Sequence, residues 1–154
     1  GSWGAMLAVS GAVTMVLGAV LALCSVDLKR TLACSSVSQI GFILVGLAMQ
    51  CLLGSHNALA VDGTVLHIVN HSLIKLALFP AAGVIHLSTH SFDLNDIRGF
   101  GRNKPMLALI MGIPMLSLAG LPLLNGYVSK TLLHESIVEY IHLSGERAWA
   151  YTAL

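Results

Sequence analysis

Long apolar runs separated by short polar connections organise this chain. The first run, from about Trp3 to Cys24, contains no charged residue and ends at the tight polar connection Asp27-Leu28-Lys29-Arg30. A second, from about Leu32 to Leu53, also lacks formal charge but carries Ser35, Ser36, Ser38 and Gln39 near its start. So many hydroxyl and amide groups on an apolar helix face neighbouring helices or water, not lipid. Gly54-Ser55-His56-Asn57 has turn chemistry. The third run, about Val61 to Ser88, would be ~42 Å long as one helix, against a hydrocarbon core of ~30 Å, so it tilts or protrudes. Thr89 to Lys104 is a polar loop with Asp93, Asp96, Arg98 and Arg102.

The region from Met106 to about Leu143 does not fit a simple span. As a straight helix it would reach ~57 Å, yet two spans would each need ~20 apolar residues, which neither Met106–Ala119 nor Tyr127–Leu143 supplies. Between them lies Gly120-Leu121-Pro122-Leu123-Leu124-Asn125-Gly126. Pro122 removes a helix hydrogen bond, and glycine lowers the cost of unwinding at Gly120 and Gly126. The pattern predicts one crossing made of two half-helices, with a Pro-kinked helix as the competing reading. A break at membrane depth is tolerated only where protein or a water-filled cavity satisfies the freed backbone, and in transporters it marks the site. Ala148 to Leu154 reads as a new apolar helix cut off after two turns. With Gly1-Ser2-Trp3 at the other end, the chain reads as a piece of a larger protein truncated at both ends. The fold class expected is all-α, a polytopic transmembrane helix bundle of about four spans, the last discontinuous.

Composition supports lipid as the solvent. Charged residues make up 10% of the chain against ~25% in a soluble domain, and mean hydropathy is +0.83. So few charges cannot coat a soluble fold. A net charge of +1 leaves no dense basic surface for nucleic acid. Cys24, Cys34 and Cys51 show no CxxC or Cys/His ligand spacing and read as small apolar helix residues. No ligand cluster supports a metal.

The basic residues orient the chain. Lys29 and Arg30 lie in the first loop; Arg98, Arg102 and Lys104 lie in the third; the second holds none. With one crossing per region, loops 25–31 and 89–104 share a face, which the positive-inside rule makes cytoplasmic. Arg147 falls on the other side, which leaves Lys75 and Lys130 inside the membrane.

Intramembrane charge is costly, by ~3 to over 10 kcal/mol. Lys75, mid-span and too deep to snorkel easily, must face an interior polar path or a partner, and a lysine so placed can exchange protons. His67, His71 and Lys75 stand at i, i+4 and i+8. Each step advances ~6 Å with an offset of only ~40°, so the three form one polar stripe. Imidazole offers both a donor and an acceptor nitrogen, so stacked histidines with water between them can pass protons. His86 falls on roughly the same side farther along. Lys130 follows the break by one turn, where Asn125, Tyr127 and Ser129 could hydrate its ammonium; Glu135, Glu139 and His142 read as a solvated face. The stripe and Lys130 form a candidate proton pathway. Against it stands a structural membrane subunit in which these residues serve packing. Haem b ligation is the other rival, from the pairs His67/His71 and His86/His90. Two histidines on one helix face cannot sandwich a haem, and the first two spans hold no central histidine; a Soret band in the purified protein would revive that reading.

These residues resemble a family. Asp27-Leu-Lys-Arg-Thr-Leu-Ala-Cys-Ser-Ser-Val-Ser-Gln-Ile-Gly41 is similar to the DxKRxLAYSSISQxG signature of the proton-conducting subunits of respiratory complex I, of membrane-bound hydrogenases and of Mrp-type cation/proton antiporters. His67-xxx-His71-xxx-Lys75-xxx-Phe79 resembles their HxxxHxxxKxxLF helix, and the segment from Ser117 to Lys130 their SLAGxPPxxGFxSK discontinuous helix. Cys34 stands for the usual Tyr and Leu123 for a second Pro, departures that leave every titratable position in place.

The resemblance implies roughly the ninth to twelfth helices of a fourteen-helix subunit. These would be most of the second of two inverted repeats, so that residues 1–154 are part of one proton-conducting domain. It implies that Lys75 and His71 belong to the central hydrophilic axis and that Lys130 delivers protons to the outer half-channel. It marks Asp27, Lys29, Arg30, Ser36 and Gln39 as a signature at the cytoplasmic loop. The implied setting is a multi-subunit complex in a lipid bilayer, the bacterial cytoplasmic membrane, moving protons coupled to electron transfer elsewhere or to Na⁺ or K⁺, with no cofactor in these residues.

Overall fold

The computed structural model describes residues 2–152, with side chains to residue 145. It is an all-α bundle: α1 (Ser2–Leu23), α2 (Leu28–Leu53), a single 3₁₀ turn (Gly54–His56), α3 (Ala58–Thr89), the short α4 (Phe100–Asn103), α5 (Pro105–Ala119) and α6 (Asn125–Thr152). Three of these, α1 to α3, are long and apolar enough to cross a membrane; α5 is apolar but shorter. The chain is an integral membrane protein.

Local chemistry explains the boundaries. The second helix begins at Leu28, four residues before the apolar run, because Asp27 caps it by accepting a hydrogen bond from the Arg30 amide at 2.9 Å. Pro105 opens α5, where its missing N–H costs nothing. Gly120, at φ 85, closes it, its N–H donating to the Leu116 and Ser117 carbonyls.

Glycine sets the packing of α1 on α2. The buried residues of α1 are Gly4, Gly11 and Gly18, one every seventh position. A Cβ on Gly11 would lie 2.9 Å from both the Gly41 oxygen and the Val45 nitrogen, so the two backbones touch. Ser38 secures the contact, its hydroxyl donating to the Met15 carbonyl at 2.8 Å. Such small-residue seams are how membrane helices associate without a hydrophobic driving force between them.

The segment α5–break–α6 runs antiparallel along α3. Leu107, Met111 and Leu118 pack on a cluster of Leu28, Leu32, Ile74, Leu78, Ala82 and Ile85. At the far end, Ile137, Tyr140 and Leu143 pack on Ala48, Met49, Leu53 and Ala60. Between them, Gly63 abuts Leu132 and Leu133. This is one discontinuous crossing, as expected. Its second part is not a half-helix ending near Leu143, and no separate helix starts at Ala148. One helix continues through Ser144-Gly145 to Thr152, since an interior glycine costs only ~1 kcal/mol and no proline follows. Residues 153–154 of the expected new helix lie outside the described residues.

The two basic loops meet. Leu28 N–H donates to the Phe92 carbonyl at 2.8 Å and Leu94 N–H to that of Val26 at 2.9 Å, forming an isolated bridge at Asp27 and Asp93. Lys29 lies 5.8 Å over the Phe92 ring. Loops 25–31 and 89–104 therefore share one face.

The glycine seam makes a prediction. Gly11→Ala in the full-length protein is expected to cost about 1–3 kcal/mol by overpacking, read as a lower unfolding temperature in detergent. Gly83→Ala, where a Cβ meets nothing within 4 Å of this chain, is the control. Equal temperatures for the two would count against the packing described.

Candidate functional site

The break is built by reciprocal capping. Five residues, Gly120 to Leu124, separate α5 from α6. The Ser117 hydroxyl accepts from the Gly126 N–H at 3.2 Å, capping the start of α6 from the last turn of α5. A Cβ on Gly126 would collide with the Ser117 carbonyl, so glycine is required there for the two ends to approach. Asn70 on α3 donates to the Asn125 carbonyl at 2.9 Å. Pro122 is exposed within the break. Leu123 stands at φ 80, a region closed to proline, so its replacement of the second proline goes with a different turn of the backbone.

Lys130 reaches back over this break. Its ammonium donates to the Leu118 carbonyl at 2.5 Å, one of the last four carbonyls of α5. Gly120 leaves it room: a Cβ there would lie 3.3 Å from the Lys130 Cδ. Asn125, Tyr127 and Ser129 make no direct hydrogen bond to the ammonium. Tyr127 is exposed, and the Ser129 hydroxyl faces the Nδ1 of His67 at 3.1 Å and donates to the Gly126 carbonyl at 3.3 Å.

Lys75 is also held by oxygen. Its ammonium donates to the Leu32 carbonyl and the Ser35 hydroxyl, both at 2.6 Å, and lies 5.8 Å from the centre of the Phe79 ring. Leu32 sits one turn into α2, so the long side chain carries its charge toward the face of the basic loops, which the depth of its backbone did not suggest. Among the described residues no carboxylate pairs with Lys75 or Lys130. Ser36 donates to the same Leu32 carbonyl at 3.1 Å.

Between the lysines lies a small cavity lined by Gln39, His67, Asn70, His71, Ser117 and Lys130, with Ile74, Leu118 and Gly126 completing its wall. About 10 Å³ is open to the centre of a water, about the room for one. His67 is 3% exposed and packs 5.2 Å from the Phe42 ring. Its Nε2, the His71 Nε2 and the Gln39 Oε1 are buried without a hydrogen-bond partner.

The expected groups therefore divide. His67, His71 and Lys130 line one cavity, and Lys75 is one turn from His71 on the same stripe. His86 leaves the stripe, stacked 4.0 Å on Phe92 of the polar loop. Asp27, Lys29 and Arg30 serve the loop face, whereas Ser36 and Gln39 belong to α2 within the bundle. Asn70 escaped sequence reading, although it stands one residue before His71 and a polar side chain at that depth is signal enough. Ser117 enters the sequence reading only as the first residue of the discontinuous-helix motif, with no sign of its capping contact. Among the described residues no group of three His, Cys, Asp or Glu is placed to hold a metal.

A membrane helix bundle with a capped break and two oxygen-held intramembrane lysines defines the class. The particular family follows from the model for the transmembrane region of NADH:quinone oxidoreductase and Mrp antiporter subunits, which matches residues 1–147. The chain belongs to that family. It is 37% identical over 141 residues to the antiporter subunit mnhA2 of Staphylococcus haemolyticus, covering 86% of this chain and 18% of that protein. It is also 32% identical over 142 residues to the NAD(P)H-quinone oxidoreductase chain 4 1 of Synechococcus elongatus, covering 92% of this chain and 26% of that one. The chain thus spans about a fifth to a quarter of the length of these relatives.

Gly126→Ala is expected to force the ends of α5 and α6 apart at a cost of about 1–3 kcal/mol. Reduced yield and unfolding temperature of the full-length protein, relative to Gly112→Ala in open surroundings, would register it; a neutral Gly126→Ala would contradict the capped break.

Proposed function

We propose that the full-length protein translocates protons across a membrane as one subunit of a larger complex, with Lys75, His71, His67 and Lys130 as part of the route. The complex is either a redox-driven assembly of the NADH:quinone oxidoreductase or hydrogenase type, or an antiporter exchanging protons for Na⁺ or K⁺. The names of the relatives, an antiporter subunit and an oxidoreductase chain, support both. On this reading residues 1–154 are most of one half of the conducting domain. Other membrane subunits and lipid cover the exposed apolar faces, and the joined basic loops face the cytoplasm of a bacterium.

The observation that carries the proposal is the cavity that brings His67, His71 and Lys130 together. The way the lysines are held adds to it. A carboxylate partner would fix an ammonium as half of a static ion pair. Carbonyl and hydroxyl oxygens accept a hydrogen bond from the neutral amine as well as from the ammonium, so each lysine keeps its place when it loses a proton. A proton entering at Lys75, beside α2, passes along His71 and His67 toward Lys130, the last three lining one cavity.

Substitution of Lys130 separates this from a packing role. Lys130→Ala is expected to abolish proton pumping in inverted vesicles while leaving the complex assembled. Lys130→Arg keeps a donor and a charge but cannot release its proton, and pumping should fall at least tenfold. Normal pumping by either variant would sink the relay.

A further inference from the structure

The geometry points to Gln39 as a positioning residue that, with His67, holds a single water between the histidines and Lys130. The inference rests on the relay reading. Gln39 belongs by sequence to the signature beginning at Asp27, but three turns of α2 carry it away from that loop to the cavity wall.

The hydrogen-bond inventory sets the polarity of the site. The Ser129 hydroxyl stands 3.3 Å from the Gly126 carbonyl and 3.1 Å from Nδ1 of His67; with its proton on the carbonyl it accepts from a protonated Nδ1, the arrangement this role of Gln39 requires. Neutral His67 then presents Nε2 as a bare acceptor. The Gln39 Oε1 is a second buried acceptor, and neither has a protein donor. Two buried acceptors cannot satisfy each other; a water between them donates one hydrogen to each. Its lone pairs remain for the N–H groups of Lys130. A transfer through this water balances. An Nε2–H bond of protonated His67 breaks as an O–H bond forms, and another O–H bond of the water breaks as an N–H bond forms on neutral Lys130. His67 is left neutral with Nε2 bare, and Lys130 positive. Gln39 exchanges no proton in this step; it holds the water's second hydrogen and so fixes the orientation along which the proton moves.

The test uses the full-length protein in its complex, with Gln39→Met, similar in volume but lacking the amide oxygen, and Gln39→Glu, which restores an acceptor at the same reach. In a map that resolves ordered water, the wild type is expected to hold a water within hydrogen-bond distance of Gln39 Oε1 and His67 Nε2, and Gln39→Met to lack it. Proton translocation should fall at least tenfold in Gln39→Met and recover severalfold in Gln39→Glu, with assembly unchanged in both. Nitrogen chemical shifts of His67 should give a protonated Nδ1 and a bare Nε2. A dry cavity, the opposite tautomer, or normal translocation in Gln39→Met would each overturn the role of Gln39. Normal pumping by Lys130→Arg would instead sink the relay itself, leaving the water and the tautomer to decide the site on their own.

Discussion

The capped break between α5 and α6 is the constraint on which the rest of the site depends. In hydrocarbon an unsatisfied backbone group costs several kcal/mol, so a helix can stop at membrane depth only if its end groups find partners. Here the partners are side chains of the candidate site. Ser117 receives the Gly126 N–H, and Lys130 donates to the Leu118 carbonyl. A cation at a helix C-terminus is also favoured by the helix dipole. The break gives the ammonium a carbonyl and a negative helix end, and the ammonium satisfies a carbonyl freed by the break. Each therefore stabilises the other, which joins the backbone and the titratable group in one arrangement.

The same constraint explains which prolines matter. Pro80 lies inside α3 and Pro114 inside α5, and both helices continue through them. Pro122 differs in following Gly120, whose φ of 85 has already turned the chain out of the helix. Proline removes one hydrogen bond; the glycine supplies the conformation that lets the chain leave. The segment was legible in sequence because glycine, proline and glycine occur together, more than because of the proline.

Legibility elsewhere follows the range of the interaction. The spans, the stripe of His67, His71 and Lys75 and the break are set by residues close in sequence, and hydropathy with helical period displayed them. That the basic loops share a face follows from counting crossings; that they bond to each other does not. What required the structure were contacts between helices distant in sequence: Lys75 with Leu32, 43 positions apart, Asn70 with Asn125, 55 apart, and His67 with Ser129, 62 apart. The glycines of α1 are an intermediate case. Their seven-residue spacing was visible, but the helix they would pack against was not. The end of α6 was misjudged for a related reason, because falling hydropathy marks where lipid contact weakens and not where a helix stops.

Polarity is arranged so that the two sides of the break differ. On the inner side lie Gln39, His67, His71 and Lys130; on the outer side an open cleft is lined by Leu73, Ile113, Pro114, Leu123 and Leu124, with Asn125 as its polar edge. Ile74 and Ser117 belong to both walls. Ile74 supplies the apolar part of that partition, and the Ser117 oxygen accepts from the Gly126 N–H, so the polar part is tied to the break. The titratable groups of the cavity thus lie along α3 and across to α6, and the aliphatic Ile74 side chain lines both cavity and cleft. The capping that lets the helix break occupies an acceptor site of Ser117, so the break and the separation of cavity from cleft rest on the same serine.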